Sequence, residues 1–259
     1  MKKISILMFL CICSLSAVFA GNTRSNSGAR AVALGQSSIS FRDLWAVANN
    51  QAGIAFLKRP VLGVAYEERF RMKEMSLKTV AFALPTNRIG NFGASFTYFG
   101  DTEYNESRIN LAYGRMLGEH FAMGVAFDYI GMSVEGNSES ASAGTVTGEL
   151  GIMAEPIENL WLSAHVYNPF GVKISEANYE EKLPTLLRFG ALYHFDEDLL
   201  FVAEIEKDID YDVRVKAGVE YTVLDKFIFR GGIATKPTEY SGGFGLRLKS
   251  FCLDLTHRI

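Results

Sequence analysis

The chain of 259 residues is 48% apolar, 12% aromatic and 21% charged, with 24 Gly against 6 Pro, which excludes a disordered, collagenous or disulfide-framework protein. Its 19 Phe and 11 Tyr, beside 2 Trp and 3 Cys, suit the pleated surface of a sheet and argue against a helical bundle. The formal net charge of −3 gives no electrostatic reason to expect nucleic acid as a partner.

Residues 1–20 read as a secretory signal peptide. Lys2 and Lys3 give a positive start, residues 4–14 an apolar core, and Val18-Phe19-Ala20 a cleavage pattern before Gly21. That core is too short to anchor in a bilayer, and Leu10 and Ile12, standing before Cys11 and Cys13, do not suit a lipoprotein site. Cleavage would take Lys2, Lys3, Cys11 and Cys13, leaving 24 basic against 29 acidic residues, a net charge of −5, and the single thiol of Cys252. An exported chain of this size without a bridge needs a large core or a closed sheet.

Residues 21–57 differ in character from the rest of the mature chain. A polar run to Ser27 precedes Gly28-Ala-Arg30-Ala-Val-Ala-Leu-Gly35, and a short helix is expected from about Asp43 to Ala48, capped by Ser40 or Asp43 and broken by Asn49-Asn50-Gln51-Ala52-Gly53. Thirty-seven residues cannot bury a core alone. They must pack on something else, and the inside of a barrel is the available space.

From Pro60 onward the chain alternates with a period of two. Phe121, Met123, Val125, Phe127 and Tyr129 oppose Ala122, Gly124, Ala126 and Asp128; Val213, Val215, Ala217, Val219 and Tyr221 oppose Arg214, Lys216, Gly218 and Glu220. This pattern predicts thirteen strands, near 61–70, 77–85, 90–99, 105–117, 120–134, 144–154, 160–168, 185–195, 199–207, 212–222, 226–234, 241–248 and 251–257. Their connections alternate between tight turns and generally longer polar loops, notably 135–143 and 169–184, as in a membrane-spanning meander with its short turns in the periplasm. One face is bulky and apolar. The other is small or charged, carrying Gly93, Ala122, Gly124, Ala126, Gly190, Gly218, Gly232, Gly243 and Gly245, a poor solvated surface but a suitable crowded lumen. Tyr98, Phe121, Tyr129, Phe195 and Phe227 fit interfacial girdles. The expected fold is therefore all-β: a transmembrane antiparallel up-and-down β-barrel over 58–259 with a partly helical N-terminal plug over 21–57. An exported soluble sandwich, which also alternates, is the competing fold.

The Gly28–Gly35 run, Asp43 and Asn50-Gln-Ala-Gly53-Ile54 resemble the N-terminal signature of outer-membrane barrels related to the fatty-acid transporter FadL and to the PorV/PorQ proteins of Bacteroidetes. Further matches are Asn168-Pro-Phe-Gly171, Glu206-Lys-Asp-Ile-Asp210 and Arg230-Gly-Gly-Ile-Ala-Thr-Lys-Pro237. The family usually has Asn-Pro-Ala-Gly where this chain has Asn50-Gln51-Ala52-Gly53, so a rigid turn is missing. The resemblance also implies fourteen strands ending on an aromatic residue, whereas thirteen are visible before His257-Arg258-Ile259. The expectation is a sequence one strand short of a complete family member, or a count wrong by one; closed pairing between 61–70 and 251–257 would refute the first.

The resemblance implies an outer-membrane location and a lipid environment, and the sequence has no Gly-x-Ser-x-Gly elbow or phosphate loop, so no enzyme is expected. Its FadL branch implies a plugged channel for small hydrophobic solutes, with Gly28, Arg30, Gly35, Asp43, Asn50 and Gly53 in the plug. Its PorV/PorQ branch implies instead a non-enzymatic accessory barrel binding proteins of type IX secretion. A continuous apolar pocket between plug and wall would favour the first; a lumen filled by plug and charge pairs would favour the second.

The inward face carries six cations, Arg108, Arg188, Arg214, Lys216, Arg230 and Arg247, and six anions, Asp128, Glu149, Glu204, Glu206, Glu220 and Asp254. Balanced charges on neighbouring strands favour a bracing ion-pair network over a polar constriction that selects solutes. Asp208, Asp210 and Asp212 alternate in a loop, but Val213 and Val219 stand where a calcium loop starting at Asp208 needs Gly and Glu. His120, His165, His194 and His257 are isolated and Cys252 has no partner spacing, so no metal, cofactor or nucleophile is expected.

Overall fold

The computed structural model describes residues 26–86, 88–135, 140–176 and 179–259; the expected signal peptide lies outside them. Thirteen strands form one antiparallel sheet: β1 (Val61–Glu68), β2 (Ser76–Leu84), β3 (Asn91–Gly100), β4 (Tyr104–Met116), β5 (Phe121–Glu135), β6 (Ser140–Ile157), β7 (Leu160–Tyr167), β10 (Leu186–His194), β11 (Leu199–Asp208), β12 (Arg214–Val223), β13 (Phe227–Ala234), β14 (Glu239–Arg247) and β15 (Cys252–Arg258). Each pairs with its sequence neighbour, and β7 pairs with β10. The intervening β8 (Lys173–Glu176) and β9 (Tyr179–Lys182) form a separate hairpin.

This hairpin corrects the expectation of a plain loop at 169–184. Ile174 and Leu183, both fully buried, cluster with Ile130 of β5, Tyr167 of β7 and Leu186 of β10, so the long connection folds back over one end of the sheet. Such an apolar anchor makes a hairpin stable where two isolated strands are marginal.

The two faces of the sheet divide as the alternation requires. Phe127 is 67% exposed and Val64 74%, while Gly124 lies buried and Lys216 is 1% exposed. Leu62, Phe96, Leu111, Phe189, Phe229 and Leu255 continue the outward apolar face around the sheet. A surface this extensively apolar suits hydrocarbon, not water, and the alternative of a sandwich with its apolar face in a dry core is overturned.

The sheet is curled around its own N-terminal segment. That segment comprises α1 (Ala29–Ala33), α2 (Ala46–Asn49) and a 3-10 helix (Gln51–Phe56). The second helix begins later than expected: Asp43 Oδ1 accepts from Trp45 N at 3.0 Å and starts the turn, whereas Ser40 Oγ is buried without a partner and caps nothing. One short segment touches inward glycines on opposite parts of the sheet, from Gly63 of β1 through Gly124 of β5 and Gly190 of β10 to Gly243 of β14, a geometry only a barrel provides. Among the described residues no backbone ladder joins β15 to β1; Arg258 Nη2 and Glu67 Oε1, 3.2 Å apart, link these two strands.

Candidate functional site

The inward glycines form a seat for the interior segment. A Cβ on Gly93 would meet Val47, on Gly124 the backbone of Gln51 and Ala52, on Gly218 the Leu34 Cα, and on Gly232 the backbone of Leu34 and Gly35. Absence of a side chain on the wall thus lets backbone approach backbone. Two glycines of the segment itself are conformationally required: Gly28 has φ +94° with Trp45 packed where a Cβ would stand, and Gly35 has φ +66° against the carbonyls of Ala217 and Ile233. Gly53 packs on the Phe41 carbonyl and on Ala46.

Polar contacts then lock the segment to the wall in three clusters. In the first, Arg108 Nε donates to Asp128 Oδ1 at 2.7 Å and its Nη2 to Glu149 Oε1 at 2.8 Å. The other Glu149 oxygen accepts from Gln51 Nε2 at 2.5 Å and from His165 Nε2 at 2.9 Å. Arg188 Nη2 lies 2.9 Å from His165 Nδ1, and a guanidinium can only donate, so the partners assign the imidazole hydrogen to Nε2, pointing at Glu149. Arg188 also donates to the Asn49 carbonyl at 2.9 Å and to Ser38 Oγ and Asn26 Oδ1 at 3.3 Å. Two cations and two carboxylates are thereby balanced in a buried site, with His165 as the bridge.

In the second cluster, Lys216 Nζ is 2.9 Å from Glu204 Oε1 and 2.8 Å from Glu206 Oε2, while Glu204 Oε2 accepts from the Ser38 and Ile39 amides at 2.7 and 3.1 Å. The third is a chain of alternating charge. Arg30 clasps both Glu220 oxygens, Nε at 2.8 Å and Nη2 at 2.7 Å, and reaches Asp43 at 3.2 Å. Glu220 also accepts from Arg230 Nε at 2.6 Å, and Arg230 Nη1 donates to Asp254 at 2.6 Å. Burial disfavours the charged form of Arg30, but Glu220 and then Asp43 outweigh it and hold its pKa above the ordinary guanidinium value.

Of the remaining expected residues, Asn50 is fully buried, donating to the Ile39 carbonyl at 2.7 Å and accepting from Ala52 N. Arg214 pairs with Glu239 at 2.7 Å. Arg247 requires a correction: it is exposed and belongs to none of these clusters, because it ends β14, where the inward face reaches the rim. Asp210 and Asp212 make exposed ion pairs with Lys182 and Lys236, and among the described residues no His, Cys, Asp and Glu group could hold a metal.

Sequence reasoning missed Gln51, His165 and Arg42. The alternation put His165 on the inward face, and the register sets it directly opposite Arg188, so pairing β7 with β10 would have found it. Gln51 stands where the resemblance expects Pro, and its amide gains the bond to Glu149 that Pro could not make.

No protein-family model matches the sequence, and neither does any curated protein. Solved structures do. The Ralstonia pickettii toluene transporter TbuX superposes with a TM-score of 0.67 at 13% identity, covering 90% of this chain and 92% of that one. A Pseudomonas aeruginosa FadL homologue gives 0.67 at 12%, covering 92% and 90%, and the Pseudomonas putida toluene transporter TodX gives 0.69 at 11%, covering 91% and 92%. At such identities the likeness establishes the fold, that of FadL-like outer-membrane barrels.

Proposed function

We propose that this chain, exported by a cleaved signal peptide, is an outer-membrane barrel acting as a plugged channel for small hydrophobic solutes, with residues 28–53 as the hatch. The observation that carries this reading is how the interior segment is held. Among the described residues it adds no strand to the sheet and rests on glycines and side-chain contacts, so it can shift without breaking a backbone ladder. The shared fold with two toluene transporters supports the same solute class. The reading involves no catalysis.

The test is uptake of a labelled fatty acid or toluene into lipopolysaccharide-containing proteoliposomes. Uptake should exceed that of protein-free vesicles and rise in Glu220→Gln, which loosens the hatch. Folded protein, checked by heat-modifiable gel migration, that takes up no more than empty vesicles in both forms would refute the channel.

A second reading is a non-enzymatic barrel that binds a protein partner. It is favoured by a lumen filled by the segment and charged wall groups, the arrangement expected of this reading: Arg30 pairs with Glu220 of β12, and Glu149 of β6, Arg188 of β10 and Glu204 of β11 hydrogen-bond neutral groups of the segment, more bracing than a freely moving hatch needs. Co-purification from envelopes with a defined partner, type IX secretion components included, together with absent uptake, would establish it.

A further inference from the structure

The two arginines of the interior segment that lie near the short turns are treated differently by the fold. Arg30 is saturated by Glu220 and Asp43. Arg42 has no carboxylate within ion-pair distance among the described residues. Its guanidinium carbon sits 4.1 Å from the centre of the Trp161 ring and 5.9 Å from that of Phe56, and Nη2 is 3.4 Å from His194 Nε2. The carboxylate whose field reaches it, Glu155, is occupied by the Asn159 amide at 3.2 Å and by His120 at 3.4 Å. Burial lowers the Arg42 pKa, and Glu155 does not offset it. The fold therefore pays to hold a half-buried cation with no anion beside it.

Arg42 lines a cleft of about 250 Å³ together with Arg30, Phe41, Phe56, Leu192 and His194. Phe56 stands edge-on to Trp161, centroids 4.9 Å apart, and Arg30 covers the Phe41 ring at 4.4 Å, so the aromatic walls are fixed in place. We propose that this cleft binds a small aromatic carboxylate, its ring among Phe41, Phe56 and Leu192 and its carboxylate on the Arg42 guanidinium. The volume admits a ligand of about one ring, below the usual range of roughly 300–1,000 Å³ for drug-sized ligands. The planar fork of a single uncommitted arginine matches a carboxylate in two-point contact, whereas a doubly charged phosphate would call for a second free cation and Arg30 is already engaged. The lining mixes Phe41, Phe56 and Leu192 with Arg30, Ser40 and His194, so an organic anion gains ring contacts that an inorganic anion lacks, and the uncompensated charge disfavours a neutral ring. Because both the interior segment and β10 contribute, an occupant would bridge hatch and wall. The assignment concerns binding at equilibrium and stands whether or not the barrel conducts solutes.

The chain has two tryptophans, so Trp45→Phe leaves Trp161, in contact with Arg42, as the sole indole reporter. In detergent-purified protein shown to be folded by heat-modifiable migration, benzoate should change Trp161 emission saturably. Calorimetry on the unsubstituted protein should give the same dissociation constant. Toluene and inorganic phosphate should bind at least tenfold more weakly, and Arg42→Gln should weaken benzoate at least tenfold, with Arg42→Lys intermediate. Absence of saturable benzoate binding in the folded protein overturns the proposal. So does toluene or phosphate binding as tightly as benzoate, or unchanged affinity in folded Arg42→Gln.

Discussion

The two halves of the interior segment are held by different physics. Residues 28–39 hang on carboxylates of the wall: Arg30 on Glu220, and the Ser38 and Ile39 amides on Glu204. Residues 43–57 are held mainly by apolar packing, with Leu44, Ala46, Val47 and Ile54 against Ala81, Ala83, Ala112 and Ala126, and by neutral bonds such as Asn91 Nδ2 to the Ile54 and Leu57 carbonyls at 2.7 and 2.9 Å. Close packing loses free energy gradually as atoms are removed, whereas a buried ion pair fails abruptly when one partner is lost. The first half is thus the part poised to release and the second the part that anchors.

Glu220→Gln is the largest expected break in that comparison. It leaves Arg30 and Arg230 facing a neutral amide in a buried site, at a cost of about 3–5 kcal/mol. The loss should appear as a lower denaturant midpoint for heat-modifiable migration, and protease should cut within 28–39 before 43–57. A midpoint equal to that of the unsubstituted protein, with both halves equally resistant, would remove the distinction between the halves.

Next comes the glycine seat. In Gly232→Ala the new Cβ would collide with the Leu34 and Gly35 backbone, which has no flexible end to give way, and overpacking of this kind costs about 1–3 kcal/mol. Gly231, on the opposite face with nothing within 4 Å of a Cβ, is the control. Gly231→Ala should leave the midpoint near that of the unsubstituted protein; equal losses at the two positions would show that backbone conformation, not the seat, decides.

How far the sequence discloses this arrangement depends on range. The strands are legible because alternation is a local property, and the pairs Glu204 with Lys216 and Glu220 with Arg230 stand directly opposite across consecutive strands, so hairpin register alone brings them together. The β8–β9 hairpin is not legible, since its buried positions, Ile174 and Leu183, are single apolar residues in polar surroundings whose partners are distant in sequence. Nor is the contrast between Arg30 and Arg42. Both lie in the same short segment, and what separates them is which strand of the wall happens to face each, a fact of closure and not of local pattern. Arg247 shows the reverse error: period two assigns a face correctly but not the depth at which the lumen ends.

Gln51→Ala probes the anchoring half at its hydrogen bond to a buried carboxylate of the wall. Glu149 keeps Arg108 and His165, so the loss should be at the low end for a bond to a charged group, about 1.5 kcal/mol. The smallest expected effect lies outside the lumen altogether. Asp212, fully exposed in the loop between β11 and β12, is held below the ordinary carboxylate range by its bond to Lys236 at 2.7 Å. A depressed carboxyl pKa gives stability that is present above the unfolded value and lost as pH falls through the folded one. Here both groups are solvated, so salt and side-chain entropy cancel most of it. Asp212→Asn should leave the denaturant midpoint unchanged at neutral pH and at pH 3. A measurable fall at neutral pH that disappears at pH 3 would mean that the loop ion pair contributes to the fold and that bracing is not confined to the interior.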